Sequence, residues 1–439
     1  MLELGHNPIH GRAGRLLAVA LLVAIAILPA YARKKKQEAA PPPVDTSSPA
    51  YILAHLDYSR IVWPNPPAIT RIKFLNWFDG QKPEPQAAAK KKSSWMDRLA
   101  GVQSENDKRI TKPRYMLWTP YGLAVDSKGQ LYVADARVGA IFVFNPETKD
   151  VSLIANGASA KFGAIIGLAI DDDDRLFVSD SQLNRILVFS PQHRVIAVIT
   201  EGLSDPAGMA IDTENRFLYV ADTGLDQVLV YDADSYKLLR RIGTTGKNHT
   251  LTAPGDFSKP TNVAVDKDGN LYVSDTLNDR IEIFDADGNF ISTFGKPGDG
   301  PGYFARPKGI AVDCDGHIWV ADAMQDRVQV FDKQGRLLIW MGGNGLLPGQ
   351  FSALTGLTID KFNRVFTSEQ FPGRVQEFRY ITQAEAWAEK KRRDAEAAAK
   401  KPEGAAPPPG ETAAPKPASP VLPAQKDSAT AKPSGSATN

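Results

Sequence analysis

Gly309-Ile-Ala-Val-Asp313, then a turn that Asp313-Cys-Asp-Gly316 forms, then Ile318-Trp-Val-Ala-Asp322, is the stretch that decides the fold. It is an apolar strand ending in Asp, a tight turn, and a second strand ending in an acid. Upstream stand Gly122-Leu-Ala-Val-Asp126 with Leu131-Tyr-Val-Ala-Asp135, and Gly167-Leu-Ala-Ile-Asp171 with Leu176-Phe-Val-Ser-Asp180. Gly208-Met-Ala-Ile-Asp212 with Leu218-Tyr-Val-Ala-Asp222 follows, then Asn262-Val-Ala-Val-Asp266 with Leu271-Tyr-Val-Ser-Asp275. Downstream the phrase returns as Gly356-Leu-Thr-Ile-Asp360 with Val365-Phe-Thr-Ser-Glu369. Successive first acids lie 45, 41, 54, 47 and 47 residues apart. Periods of this size, rich in β-branched residues and Gly/Asp turns, mark propeller blades.

Each repeat reads as four strands. In the blade beginning at Pro307 these are Gly309–Val312, His317–Ala321, Arg327–Phe331 and Arg336–Trp340, with turns at 313–316, 324–326 and 332–335. Alternating apolar positions bury blade faces against neighbours, and one blade cannot cover both of its faces alone. The sequence therefore predicts an all-β fold, a closed ring of six four-stranded blades.

The third strands Asn184-Arg-Ile-Leu-Val-Phe189, Asp279-Arg-Ile-Glu-Ile-Phe284 and Asp326-Arg-Val-Gln-Val-Phe331 carry a resemblance to NHL repeats. The resemblance runs from about Pro120 to Tyr380 and implies a six-bladed β-propeller. The chain lacks the signature His in every copy, and Ala140 and Gln227 stand where Arg is usual.

Arg374-Val-Gln-Glu-Phe378 is followed by no fourth strand, because Gln383 onward reads as a charged helix. Arg71-Ile-Lys-Phe-Leu-Asn-Trp77 has strand alternation, and pairing it beside Arg374–Phe378 closes the ring and removes two open edges. This gives a propeller over 69–380, with closing strand 71–77, an insertion over 78–119 and blades over 120–380. Within the insertion Ser94 can cap a short amphipathic helix, Trp95–Val102. A charged helix over 381–402 follows, then a Pro/Ala/Ser/Lys tail over 403–439, too poor in large apolar residues to fold. Residues 33–68 read as a Pro-rich linker and N-terminal segment. Leu16–Leu28 is apolar, preceded by Arg12 and Arg15 and followed by Ala30-Tyr-Ala32. Residues 1–32 thus read as a secretory signal, and export to the periplasm or beyond is expected. Arg33-Lys-Lys-Lys36 opposes translocation, which keeps an uncleaved membrane anchor as the alternative.

Without residues 1–32, which hold two Arg and one Glu, 50 basic and 49 acidic residues remain. That balance gives no electrostatic case for nucleic acid, so RNA binding, which NHL domains of animal tripartite-motif proteins imply, is set aside. The basic runs 90–92 and 390–393 lie outside the blades and read as solvated. Cys314 is the single cysteine and excludes an internal disulfide.

Among NHL-like propellers the peptidyl-amidoglycolate lyases hold zinc on channel-facing histidines. Zinc needs several imidazoles converging near 2 Å, and this propeller offers His193, His249 and His317, in positions not expected to meet. No metal or other cofactor is assigned. Asp266-Lys-Asp-Gly-Asn270, Asp285-Ala-Asp-Gly-Asn289 and the run Asp171–Asp174 resemble calcium loops but lack a distal acid. Each sits where a blade needs a turn, and the turn is the reading taken. The second-strand acids Asp135, Asp180, Asp222, Asp275, Asp322 and Glu369 recur once per blade. Such regularity predicts structural bonds to nearby turn amides or to Arg185, Arg280, Arg327 and Arg374, since a catalytic acid would be unique.

The loops before the first strand and between the second and third strands share one face. The long ones span 243–259, 295–306 and 342–353 and contain Gly255-Asp-Phe257, Gly302-Tyr-Phe304 and Gly349-Gln-Phe351, whose Phe residues are expected to plug blade seams. Tyr121, Arg137, Gln182, Tyr303, Arg306, Lys308 and Gln325 are candidates for a binding rim there. The sequence points to a non-catalytic module binding a protein or small ligand, with a metal-dependent lyase or lactonase as the alternative.

Overall fold

The computed structural model describes residues 56–80, 115–155, 161–244 and 253–399. The segment expected to be a signal, the helix expected at 95–102, the basic run 90–92, His249 and the tail lie outside the described residues.

Six antiparallel sheets succeed one another along the chain, and in the first five the strands stand in sequence order from the inside outward. The blade used above comprises Pro307–Val312, Ile318–Asp322, Arg327–Phe331 and Leu337–Gly342. Its inner strand begins two residues earlier than expected. In every blade the inner strand breaks register just after its first residue, for example between Pro307 and Ile310. The bulge coincides with Gly122, Gly167, Gly208, Gly309 and Gly356, and in the fourth blade with Thr261. There the backbones of adjacent inner strands come so close that a Cβ on Gly122 would collide with the Ile166 carbonyl. Glycine is thus dictated by close approach at the channel wall.

The last blade is completed from the other end of the chain. Its sheet runs Leu354–Ile359, Arg364–Glu369, Arg374–Tyr380 and then Ile72–Phe78. Ile72 pairs with Tyr380, Phe74 with Phe378 and Phe78 with Val375, and a bulge at Leu75 resets the alternation. The closing strand is therefore present, shifted by one residue from the expected 71–77. One expectation needs correction. Within the stretch read as linker, Val62–Trp63 adds a short fifth strand against Ile72 and Lys73. Its neighbour Ile61 and Trp63 pack on the core.

The core is divided into six apolar clusters, and each lies in one seam between successive blades. The second strands sit in the middle of the sheets and are buried at every position from Leu131 to Asp135, and likewise in the other blades' corresponding stretches. Phe257, Phe304 and Phe351 are fully buried in the seams. Each lies over a glycine that ends an outer strand. A Cβ on Gly295 would stand 2.5 Å from the Phe304 ring, and one on Gly243 would stand 2.7 Å from Phe257. As a separate unit, Gln383–Ala399 forms an α-helix.

Candidate functional site

Three arrangements define the face carrying the long loops. The first is a lattice of buried acids. Asp322, fully buried, accepts from the backbone N–H groups of Ala305 and Arg306 before the inner strand, and from Met324 and Gln325 in the next hairpin, at 2.8–3.2 Å. Asp135 takes Trp118, Thr119, Arg137 and Val138, and Asp222 takes Ser204, Asp205, Gly224 and Leu225. Where the third strand opens with a buried Arg, the guanidinium joins: Arg280 Nε lies 2.8 Å from Asp275, and Arg374 Nε 2.9 Å from Glu369. Both kinds of donor expected from the sequence, turn amides and arginines, are used, but Arg327 is a correction, because its guanidinium donates to the Asp299 carbonyl at 3.2 Å and not to Asp322. These acids tie the two loops of each blade together.

The second arrangement fixes the long loops. Gln329 accepts from Gly302 N–H and donates to the Tyr303 carbonyl, each at 2.8 Å. Gln376 does the same for Gly349 and Gln350, at 2.8 and 2.7 Å. Glu282 takes the Gly255 N–H at 2.9 Å. Burial pushes this carboxyl up to about 7 despite Arg280 beside it. The corresponding residues of the first three blades are Phe142, Leu187 and Leu229, and those blades lack a Gly-x-Phe loop. The third-strand polar residue and the loop it clamps are one device.

The third arrangement is the central channel, with a cavity volume of about 880 Å³. At the long-loop end it is ringed by the second residue of each inner strand: Tyr121, Ile166, Ala207, Thr261, Lys308 and Thr355. Burial lowers the pKa of Lys308, and the neighbouring Arg306 guanidinium lowers it further. At the far end the channel is lined by Asp126, Asp171, Asp172, Asp360 and Lys361.

The seven rim candidates separate. Tyr121 and Lys308 line the channel. Arg137 is exposed and lies 4.2 Å over the Trp118 ring, and Tyr303 carries Lys296 at 4.4 Å from its centroid. Gln182 and Arg306 are exposed on the loops. Gln325 is a correction, because its amide donates to the Gly298 and Tyr303 carbonyls and anchors a loop. The sequence reading missed Trp118 and Phe371, which are 56% and 60% exposed. Gly373 packs against the Leu117 and Trp118 backbone, so Phe371 and Trp118 occupy adjoining loops. Phe371, a large aromatic before the turn pair Pro372-Gly373, was the available signal.

The metal chemistry of the lyases does not fit the described histidines. His193 belongs to the second blade, where Nε2 lies 3.1 Å from the Tyr132 hydroxyl. His317 belongs to the fifth, where Nδ1 lies 3.0 Å from Asp313. Neither lines the channel. The acids of the calcium-like loops close turns: after the first strand Asp266 accepts from Asp268 and Asn270 N–H, and after the third strand Asp285 accepts from Asp287 and Asn289 N–H. Asp171, Asp172 and Asp173 bring ligand atoms within 4.8 Å of one another, but Arg175 and Arg216 answer their charge.

A six-bladed β-propeller family model matches residues 256–328, and an NHL-repeat model matches residues 117–144. A probable peptidyl-alpha-hydroxyglycine alpha-amidating lyase of Caenorhabditis elegans is 37% identical over 92 residues, 20% of this chain. The match spans about a quarter of that relative, 24% of its length. Among solved structures, a catalytically inactive virginiamycin B lyase of Staphylococcus aureus with quinupristin superposes with a TM-score of 0.45 at 14% identity. It covers 61% of this chain and 82% of that one. The nidogen/laminin complex gives 0.45 at 19% identity, covering 57% and 89%. With six blades in the ring and an NHL-repeat model matched over one of them, the chain is a six-bladed β-propeller that carries an NHL repeat.

Proposed function

We propose that this propeller is a non-catalytic binding module, exported from the cytoplasm, that recognises a protein or small ligand on its long-loop face. The observation that carries this reading is the use of the six recurring acids. They are spent on the loops' own amides and arginines, so they hold a surface in shape rather than attack a substrate. What that surface offers outward is aromatic and cationic: Trp118 under Arg137, Phe371 beside it, and Tyr303 under Lys296. Aromatic and arginine anchors on a rigid frame are the usual means of recognition.

The test is recovery of a partner from the native host by the full chain. Recovery should be lost with R137A/W118A and kept with K361A at the opposite end of the channel. Equal recovery by all three would place recognition elsewhere. N-terminal sequencing of the mature protein should begin at Arg33, and a chain retained in the membrane from Met1 would support the anchor instead.

A second reading rests on the 37% identity to the amidating lyase over 92 residues. Stoichiometric zinc in the purified protein, with turnover of a peptidyl-hydroxyglycine, would replace the binding reading by that one.

A further inference from the structure

From Lys308 we infer that the channel mouth is a binding site for the oxyanion headgroup, carboxylate or phosphate, of a small organic molecule. The inference deepens the binding-module reading by naming a ligand class, and rests on it for the use of this face.

The ring at the mouth takes one residue from each blade, and Lys308 is its one charged member. Two of the polar members are engaged. Thr261 Oγ1 lies 2.6 Å from the Thr276 hydroxyl, and the Thr355 hydroxyl donates to the Pro120 carbonyl at 3.1 Å. Lys308 is half-buried, yet among the described residues its ammonium has no hydrogen bond or ion pair. The charge that acts on it is a second cation, Arg306, two residues back. A partly desolvated ammonium beside another cation lacks the compensation that such groups ordinarily find within a protein. An anion entering the mouth would supply it.

The remaining charges orient such a ligand. At the far end the lining acids Asp171, Asp172 and Asp360 are already paired with Arg175, Arg216 and Arg364, and Lys361 is exposed to solvent, so the half-buried cation without a partner is at the near end. On the near end Asp205 belongs to the third blade, and its carboxylate accepts the Thr223 hydroxyl at 2.5 Å. Ile166 and Ala207 give the ring an apolar side opposite the cationic blade. A molecule with an oxyanion head and a small apolar body matches this layout, with the head on Lys308 and the body across the ring. The Tyr121 hydroxyl, also without a hydrogen bond to the described residues, is a further donor on the same ring.

The experiment is calorimetric titration of the full chain with benzoate, phenyl phosphate and benzamide, repeated with K308M. One or both anions should bind, and the neutral amide should not. Binding should weaken about tenfold or more in K308M, the loss of a charge-assisted bond. Equal binding by K308M, equal binding of benzamide, or no binding of either anion would overturn the assignment. On the unaltered protein, reductive methylation read by peptide mass spectrometry should show Lys308 protected by the bound anion and not by benzamide. Unchanged labelling would again overturn it. Partner recovery that depends on Arg137 and Trp118, with both anions ignored, would sink this inference alone. Turnover of a substrate together with anion binding at Lys308 would sink the non-catalytic reading alone.

Discussion

The Glu282 carboxylate takes the Gly255 N–H at 2.9 Å, in the place where Gln329 and Gln376 hold Gly302 and Gly349. Two blades use a neutral amide for this clamp and one uses a carboxyl that burial pushes up to about 7. Gln329 and Gln376 also donate to a carbonyl of the loop, and Glu282 can do so only when protonated. A raised acid contributes stability that is full below its unfolded value, about 4.5, and is lost as pH rises through its folded value. The fourth blade should therefore lose stability between about pH 4.5 and pH 7, up to roughly 3 kcal/mol for this group. Glu377, also raised to about 7 by burial, adds a slope of the same sign. E282Q should flatten the dependence of melting temperature on pH in that window. An unchanged slope would show that Glu282 titrates at its ordinary value.

Gly295 makes a second prediction. Its φ of 92° is disfavoured for any residue with a Cβ, and that Cβ would press into the Phe304 ring. G295A should destabilise the propeller by about 2 kcal/mol, strain and repacking together. Denaturant titration reads this as a lower midpoint at constant slope. A midpoint within error of the unaltered protein would mean that Phe304 moves aside without cost.

Much of this was legible in the sequence because the repeat writes it six times. The blade count, the recurring acids' partners and the seam position of Phe257, Phe304 and Phe351 follow from periodicity and from burial of one face. Ring closure was legible for a related reason, since Arg374–Phe378 had no fourth strand after it in its own repeat. The channel mouth was not legible in this way. Lys308 is set apart by what faces it from five other strands, and the residue after an inner-strand proline announces nothing locally. Gln325 misled for the opposite reason, because a polar residue at a hairpin tip reads as free until a neighbouring loop's carbonyls are seen to use it. The pair Val62–Trp63 is too short for its alternation to register.

Asp322 allows a test of the lattice. Its four backbone donors are satisfied by this one buried carboxylate, so D322A leaves them without their acceptor. Charge-assisted bonds of this kind contribute about 1.5–3 kcal/mol each, and loss of several should cost at least about 3 kcal/mol. D135A should behave alike, because Asp135 has the same four-amide geometry. If one substitution spared stability but removed a measured activity, that acid would be functional rather than structural.

Ring closure gives the prediction with the largest effect. Phe74 is buried in the seam between the fifth and sixth blades, with its ring centroid 5.5 Å from Phe378 and 5.3 Å from Tyr58. Arg71 adds bonds to the Ile381 carbonyl at 3.1 Å and the Tyr380 hydroxyl at 3.0 Å. F74A should cost about 3–5 kcal/mol, the range for a large aromatic removed from a close-packed core. A chain beginning at Gly80 loses Ile72, Phe74 and Phe78 together with the whole ladder to Arg374–Tyr380, and leaves that strand as an open edge. The summed loss is comparable with the net stability of a domain. Such a chain should aggregate or melt far below the full chain, and a synthetic peptide of residues 56–80 added in trans should partly restore it. A chain starting at Gly80 that melts with the full chain would mean that the sixth blade is stable with three strands, and that pairing with Ile72–Phe78 contributes little.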